Sequence, residues 1–228
     1  MQKGTFIVID GTDGSGKGTQ TKLLIDRLEQ EGYPVATTDF PQYGKKSAGA
    51  VEEYLNGKYG TADEVGAYRA SIFFAVDRYD ASFVMRQWLA EGKIIISNRY
   101  VTANMAHQGC KIIDKKKRED YFRWLKHLEY EIFEIPQPDI NIILHCPAEV
   151  SARLIEKKGH RDYIGGKGKD IHEADITHLK NAEQVFLQLA DLMDNTEVIP
   201  CMMREELQTI EQIHERLWRH IQQYLPKK

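Results

Sequence analysis

Cysteine is scarce, with Cys110, Cys146 and Cys201 the only three in 228 residues. They are too few and too scattered for a disulfide framework and read as reduced thiols in a cytosol-like compartment. No charge of one sign dominates: 31 Lys and Arg face 34 Asp and Glu, for a net charge of -3. That excludes the basic coat of a duplex nucleic-acid binder. Long apolar runs are missing too. The N-terminal run Phe6-Ile7-Val8-Ile9 is stopped by Asp10, short of the roughly 7–15 residues of a signal-peptide core. No window approaches the ~20 apolar residues of a membrane span. The expectation is a cytoplasmic protein with no membrane or nucleic-acid partner. The eight histidines and three cysteines show no zinc spacing, and no Gly-x-Ser-x-Gly element points to a serine hydrolase. Repeats and low-complexity linkers are absent, so one domain over residues 1–228 is expected. A chain of this size buries about 72% of its unfolded surface.

What is present is an alternation of short apolar runs and long helical patterns. Phe6–Ile9, Val35–Thr38, Ile94–Ser97 and Ile140–His145 read as strands, with a weaker fifth at Glu197–Ile199. They are apolar on both faces, as buried parallel strands covered by helices are. Helices are expected over Gly16–Glu31, within Thr61–Glu91, over Asp114–Glu134 with Asp114 as N-cap, and over Glu173–Met193. A last one carries the stripe Leu207, Ile210, Leu217, Ile221 and Leu225. The alternation predicts an α/β fold: three layers, a five-stranded parallel sheet flanked by helices. Ligands bind at the carboxyl ends of such strands, so the chemistry should follow Ile9, Thr38, Ser97 and Cys146.

The first of those places holds Gly11-Thr12-Asp13-Gly14-Ser15-Gly16-Lys17-Gly18-Thr19. This is a P-loop pattern between a strand and a helix, where its mechanism requires it. Glycines let successive N–H groups face phosphate oxygens, the helix presents its positive end to the same anion, and Lys17 adds a point charge. The nine residues are the expected ATP site. Gly18 stands where Ser or Thr usually supplies a Mg²⁺ hydroxyl. The expected metal is therefore Mg²⁺ held mainly by ATP phosphates and water, with Asp13 or Thr19 as protein donor.

Further motifs follow in order: Asp39-Phe40-Pro41-Gln42, Phe73-Phe74-Ala75-Val76-Asp77-Arg78, Asn98-Arg99-Tyr100, and Gly159-His160-Arg161-Asp162. Together with the P-loop they make the chain resemble the thymidylate kinase family along its whole length, and the P-loop NTPase fold with a mobile lid is implied. So is a reaction, ATP and dTMP giving ADP and dTDP, a step of dTTP biosynthesis, with Mg²⁺ as cofactor and a homodimer as assembly. The resemblance places Phe40, Phe74, Arg78, Asn104 and His107 at the acceptor nucleotide and Arg99 on its phosphate. Phe74 and Arg78 are four apart and share a helix face, while Asp77 should point elsewhere. Asp13, Lys17 and Arg99 are the expected catalytic groups. Arg161 joins them from a basic, glycine-rich lid at about 157–172, and Arg153 supports the ATP side.

Three further departures from the family pattern stand beside Gly18. Asn98 replaces a common Asp, Gln42 a common Arg, and the loop offers Gly14 and Ser15 where some members carry Arg. Two other readings stand beside this one: another pyrimidine nucleotide or nucleoside kinase, and a P-loop regulatory ATPase. Lys115-Lys116-Lys117-Arg118 reads as a solvated helix face.

Overall fold

The computed structural model describes residues 3–158 and 176–227. Five strands, β1 (Thr5–Asp10), β2 (Val35–Asp39), β3 (Ile94–Asn98), β4 (Ile140–His145) and β5 (Thr196–Pro200), form one sheet in the order β2-β3-β1-β4-β5. Every pairing is parallel. The run Ile94–Ile96 and the isoleucines Ile140, Ile142 and Ile143 suit strands buried on both faces.

Side chains alternate across that sheet, and each set finds its own helical layer. Ile7, Ile9, Ile94, Ile96, Ile142 and Leu144 pack with Leu24 and Leu28 of α1 (Lys17–Gln30) and Leu217 and Ile221 of α8 (Ile210–Ile221). Phe6, Val8, Ile95 and Ile143 face the other way. Their partners lie on α3 (Ala62–Ala90), α4 (Val101–Gly109), α5 (Lys115–Lys126) and α7 (Ile176–Leu192). The result is the expected three-layer arrangement. α2 (Gly49–Leu55) and α6 (Ala148–Lys158) complete the helices, and β6 (Met202–Met203) with β7 (Glu206–Leu207) makes a small antiparallel hairpin.

Several expectations meet detail here. Asp114 caps α5, accepting from Lys117 N at 2.8 Å. The helix expected to run to Glu134 changes instead to a π turn over His127–Ile132. The apolar stripe of the last helix is shifted: Leu207 lies in β7 and Ile210 is half exposed, while Ile213, Leu217, Trp218 and Ile221 are buried. Lys115, Lys116 and Lys117 of the basic run are exposed, as expected, but Arg118 is half-buried, donating to Gln188 Oε1 at 2.9 Å and to Ile112 O at 3.0 Å. The expected lid from residue 159 onward, and Arg161 with it, lies outside the described residues.

Candidate active site

The carboxyl ends of β1, β2 and β3 open on a cleft of about 870 Å³, a size suited to a small-molecule ligand. Its polar wall is the P-loop. Gly11, Gly14 and Gly16 all have positive φ (138°, 82° and 89°). A Cβ on Gly14 would sit 2.4 Å from Ser151 O of α6, and one on Gly11 2.5 Å from Leu144 O of β4. The loop is thus wedged between two backbones, and only glycine fits. Gly18, inside α1, meets nothing within 4 Å. Gly14→Ala should therefore destroy ATP binding, seen as a collapse of ATP-dependent turnover. Gly18→Ala should raise the melting temperature, since Ala is worth about 1 kcal/mol over Gly in a helix.

Lys17 Nζ donates to Thr12 O at 2.8 Å and lies 3.7 Å from Asp13 Oδ1. Asp13, Gly14, Gly16, Lys17, Gly18 and Thr19 line the cleft. Gly11, Thr12 and Ser15 are buried behind it, with Thr12 Oγ1 3.5 Å from Ser151 Oγ. Arg153 stands apart: it is exposed on α6, with Nε donating to its own helix at Glu149 O.

Arg99 follows β3 in a left-handed conformation, φ 66°, with its N–H donating to Ile9 O of β1 at 3.0 Å. A non-glycine residue held there carries strain of order 1–3 kcal/mol, characteristic of functional positions. Its fork reaches two groups at once. Nη2 pairs with Asp13, and Nη1 meets His107 Nε2 at 2.8 Å. Burial works against the charge, but Asp13, Asp10 and Asp39 more than offset it and hold the guanidinium pKa up.

The apolar wall is Phe40, Leu55, Phe74 and Tyr100. Phe74 is fixed edge-on by Tyr54 at 6.2 Å between centroids, and Phe40 packs on Tyr100 at 5.6 Å. Two polar groups enter beside it. Arg78 is only 2% exposed and makes a two-bond pair with the fully buried Glu129, Nε to Oε2 at 2.6 Å and Nη2 to Oε1 at 2.7 Å. Burial alone would disfavour the charge, yet Glu129 keeps the Arg78 pKa above its ordinary value. Asn104 donates from Nδ2 to Ser71 O of α3 at 3.2 Å, while its Oδ1 is buried with no partner. A carbonyl can only accept, so the amide orientation is settled: Nδ2 faces Ser71 and Oδ1 is left as an acceptor.

Some of these partners escaped the sequence reading. Glu129 comes from the π turn, and nothing in its neighbourhood marks it. Asp77 does point away from the cleft, as expected, but with a job. It accepts from Gln42 N at 2.8 Å, Gln42 Nε2 at 3.1 Å and Ser47 Oγ at 2.7 Å. The loop after β2 is thereby anchored to α3, and the Gln42 amide is spent on that anchor rather than turned to a phosphate. His178 of α7, which meets His107, was also unmarked.

Oxygen donors gather beside the P-loop. Asp13, Asp39, Thr19 and Asn98 line the cleft. Asn98 Nδ2 donates to Asp39 at 3.0 Å, and Asn98 Oδ1 is buried without a partner. All-oxygen donors suit Mg²⁺. Among the described residues no three His, Cys, Asp or Glu side chains converge on a metal position, so phosphate and water oxygens would complete the shell.

A phosphate cradle with its lysine, an arginine fork across from it and an aromatic pocket between them define a P-loop phosphotransferase acting on a nucleotide. The comparisons narrow this class. The thymidylate kinase family model matches residues 9–216. The thymidylate kinase of Mycobacterium tuberculosis is 28% identical over 186 residues, covering 81% of this chain and 85% of its own. The thymidylate kinase of Caulobacter vibrioides is 30% identical, over 76% and 79% of the two chains. The probable thymidylate kinase of Pyrococcus horikoshii is 28% identical over 93% of each. In fold, the chain is similar to the thymidylate kinase of Candida albicans, with a TM-score of 0.74, 22% identity and coverage of 97% and 92%. The chain belongs to the thymidylate kinase family.

Proposed function

We propose that this protein transfers the γ-phosphoryl group of ATP to dTMP, giving ADP and dTDP. The observation that carries the acceptor choice is the pair of polar groups beside Phe74. Asn104 Oδ1 can only accept, which suits the N3–H of thymine. The Arg78 guanidinium can only donate, which suits a ring carbonyl. Cytosine has an acceptor at N3 and would meet Asn104 Oδ1 lone pair to lone pair. Phe74 offers the flat face on which a pyrimidine packs.

The attacking group is already an anionic phosphate, so catalysis is alignment plus charge neutralisation. Arg99 grips the acceptor phosphate, since its planar fork can bind two oxygens. Lys17 and the loop N–H groups hold the donor phosphates. Asp13, joined to both Lys17 and Arg99, sets the two cations relative to each other. When bound, Mg²⁺ would neutralise the phosphate oxygens between which the transfer occurs. Asp13 and Thr19 would reach it or its waters, and Asn98 Oδ1 would accept from a metal-bound water. Arg161, from the segment after α6, and Arg153, from α6 itself, are proposed to add positive charge.

Two further features belong to the proposal. The chain acts as a cytoplasmic protein, in keeping with three free cysteines. Among the described residues no helix is long and apolar enough to cross a membrane. It also pairs as a homodimer through α3, whose outer face exposes Tyr68, Ile72, Val76, Tyr79 and Phe83. Sedimentation at micromolar concentration should give twice the chain mass, and a monomer mass would overturn the pairing. The reaction is tested by coupled ADP formation with Mg·ATP against dTMP, dUMP, UMP, CMP, AMP and GMP. Fast turnover with dTMP, slower with dUMP and none with CMP is expected. ATP consumption that ignores all six would overturn the assignment.

A further inference from the structure

From Arg99 a string of polar groups runs inward, beginning at His107, which lines the cleft beside it. Arg99 Nη1 is 2.8 Å from His107 Nε2, and His107 Nδ1 is 3.3 Å from His178 Nε2. His178 Nδ1 is 3.6 Å from Cys110 Sγ, which in turn is 3.3 Å from His107 O. The two imidazoles are nearly coplanar, 19° apart, with centroids at 5.6 Å. Their facing nitrogens are much closer than their centroids, so the rings meet edge to edge, as an in-plane N–H···N bond requires. Phe186 of α7 packs edge-on against His107 at 5.8 Å.

One fact places every proton along the string. A guanidinium donates and never accepts. His107 Nε2 must therefore be the bare, accepting nitrogen, and the proton of neutral His107 sits on Nδ1. That proton points at His178, whose Nε2 must accept, so His178 carries its own proton on Nδ1. The Nδ1–H faces Cys110 Sγ, and the Cys110 thiol donates to His107 O. Burial pushes that thiol up to about 11, so it keeps the proton it gives. Were His107 in the other tautomer, it would turn an N–H toward the Arg99 N–H, and the fork would lose one of its two supports.

We propose that His107 and His178 are positioning residues: His178 fixes the tautomer of His107, and His107 in that tautomer aims the Arg99 fork at the acceptor phosphate. The Asp13 contact alone leaves the guanidinium free to pivot about Nη2, and the second contact removes that freedom. The charged and titratable groups along the string include Arg99 with Asp13 beside it, His178 from α7 and Cys110 at the C-cap of α4, with Lys111, Arg118 and Asp63 acting on the thiol. This inference rests on Arg99 as the ligand of the acceptor phosphate.

The tautomer is read without any variant or substrate. Long-range ¹H–¹⁵N correlation spectra of the wild-type protein should show His107 protonated at Nδ1 and bare at Nε2. Kinetics then test the role. His107→Phe keeps a flat ring but removes the acceptor, and should lower kcat/KM for dTMP about 10–100-fold, the scale of losing one hydrogen bond to a charged group. The KM for ATP should hardly move. His107→Gln, whose Oε1 can accept from Arg99, should recover most of that loss. His178→Phe should cost several-fold in the wild-type background and nothing further in the His107→Gln background, because an amide has no tautomer to fix. Three results would each overturn the proposal: His107 protonated at Nε2, a Phe variant with wild-type kinetics, or a Gln variant as poor as the Phe variant. A wild-type protein that ignores dTMP would instead overturn the reading of the reaction, while the spectra would still report the tautomer.

Discussion

Glu129→Ala should cost about 3–5 kcal/mol of stability, the penalty for stripping a buried charge of its partner. In a chain of this length that is a fall in melting temperature of about 6–20 °C. The reason is geometric. Arg78 and Glu129 are 2% and 0% exposed, and the pair makes two parallel bonds. With the carboxylate gone, the guanidinium is left charged at a nearly buried position without its partner. Arg78→Met combined with Glu129→Leu should recover much of the stability, since a well-packed apolar pair often matches a buried ion pair. The double variant should still bind dTMP poorly, because the donor beside Phe74 is lost with Arg78. Melting curves and KM for dTMP together separate the two effects. A Glu129→Ala protein that melts like the wild type would show that removing the carboxylate strands no costly charge at Arg78.

Arg99→Ala should lower kcat/KM for dTMP by about 10²–10³, the cost of removing one preorganised group that meets developing charge. Arg99→Lys should rescue little of it. A lysine carries the charge, but an ammonium on a flexible stem cannot hold Asp13 and His107 from two sides while presenting a flat edge to a phosphate. The KM for ATP should change far less, since Lys17 and the loop N–H groups remain. Steady-state kinetics with each substrate varied in turn decides the matter. An equal loss on both substrates would place Arg99 on the donor side instead.

The strands and their parallel sense were legible because runs such as Ile94-Ile95-Ile96 have no other stable use than a sheet covered on both sides. The phosphate loop was legible because its glycines are demanded by the local backbone: Gly11 and Gly14 press on neighbouring carbonyls. What lay hidden depends on contacts distant in sequence. Glu129 reaches Arg78 across 51 positions, and only a π turn brings it inward, a local irregularity that hydrophobic periodicity cannot show. Asp77 and Gln42 look like ordinary surface polar residues until the loop after β2 is folded onto α3. His178 gains its meaning from His107, 71 positions earlier. Arg153 illustrates the converse: a basic residue in the right part of the chain, yet exposed and bonded to its own helix.

The helix α3 bears Phe74 and Arg78 on its inner side and Tyr68, Ile72, Val76, Tyr79 and Phe83 on its outer side. The helix breaks at Gly66, φ 74°, and both sets lie on the one continuous spiral that follows it, so neither can be re-registered alone. A single residue inserted between Ser71 and Phe74 would turn everything before it by about 100° relative to everything after it. It would break the Ser71 link to Asn104 and split the outer stripe in the same stroke. Along a lineage, the stretch after Gly66 can exchange its letters but should neither gain nor lose one, and length variation should collect before it, in the turn at residues 56–61 and at the break itself.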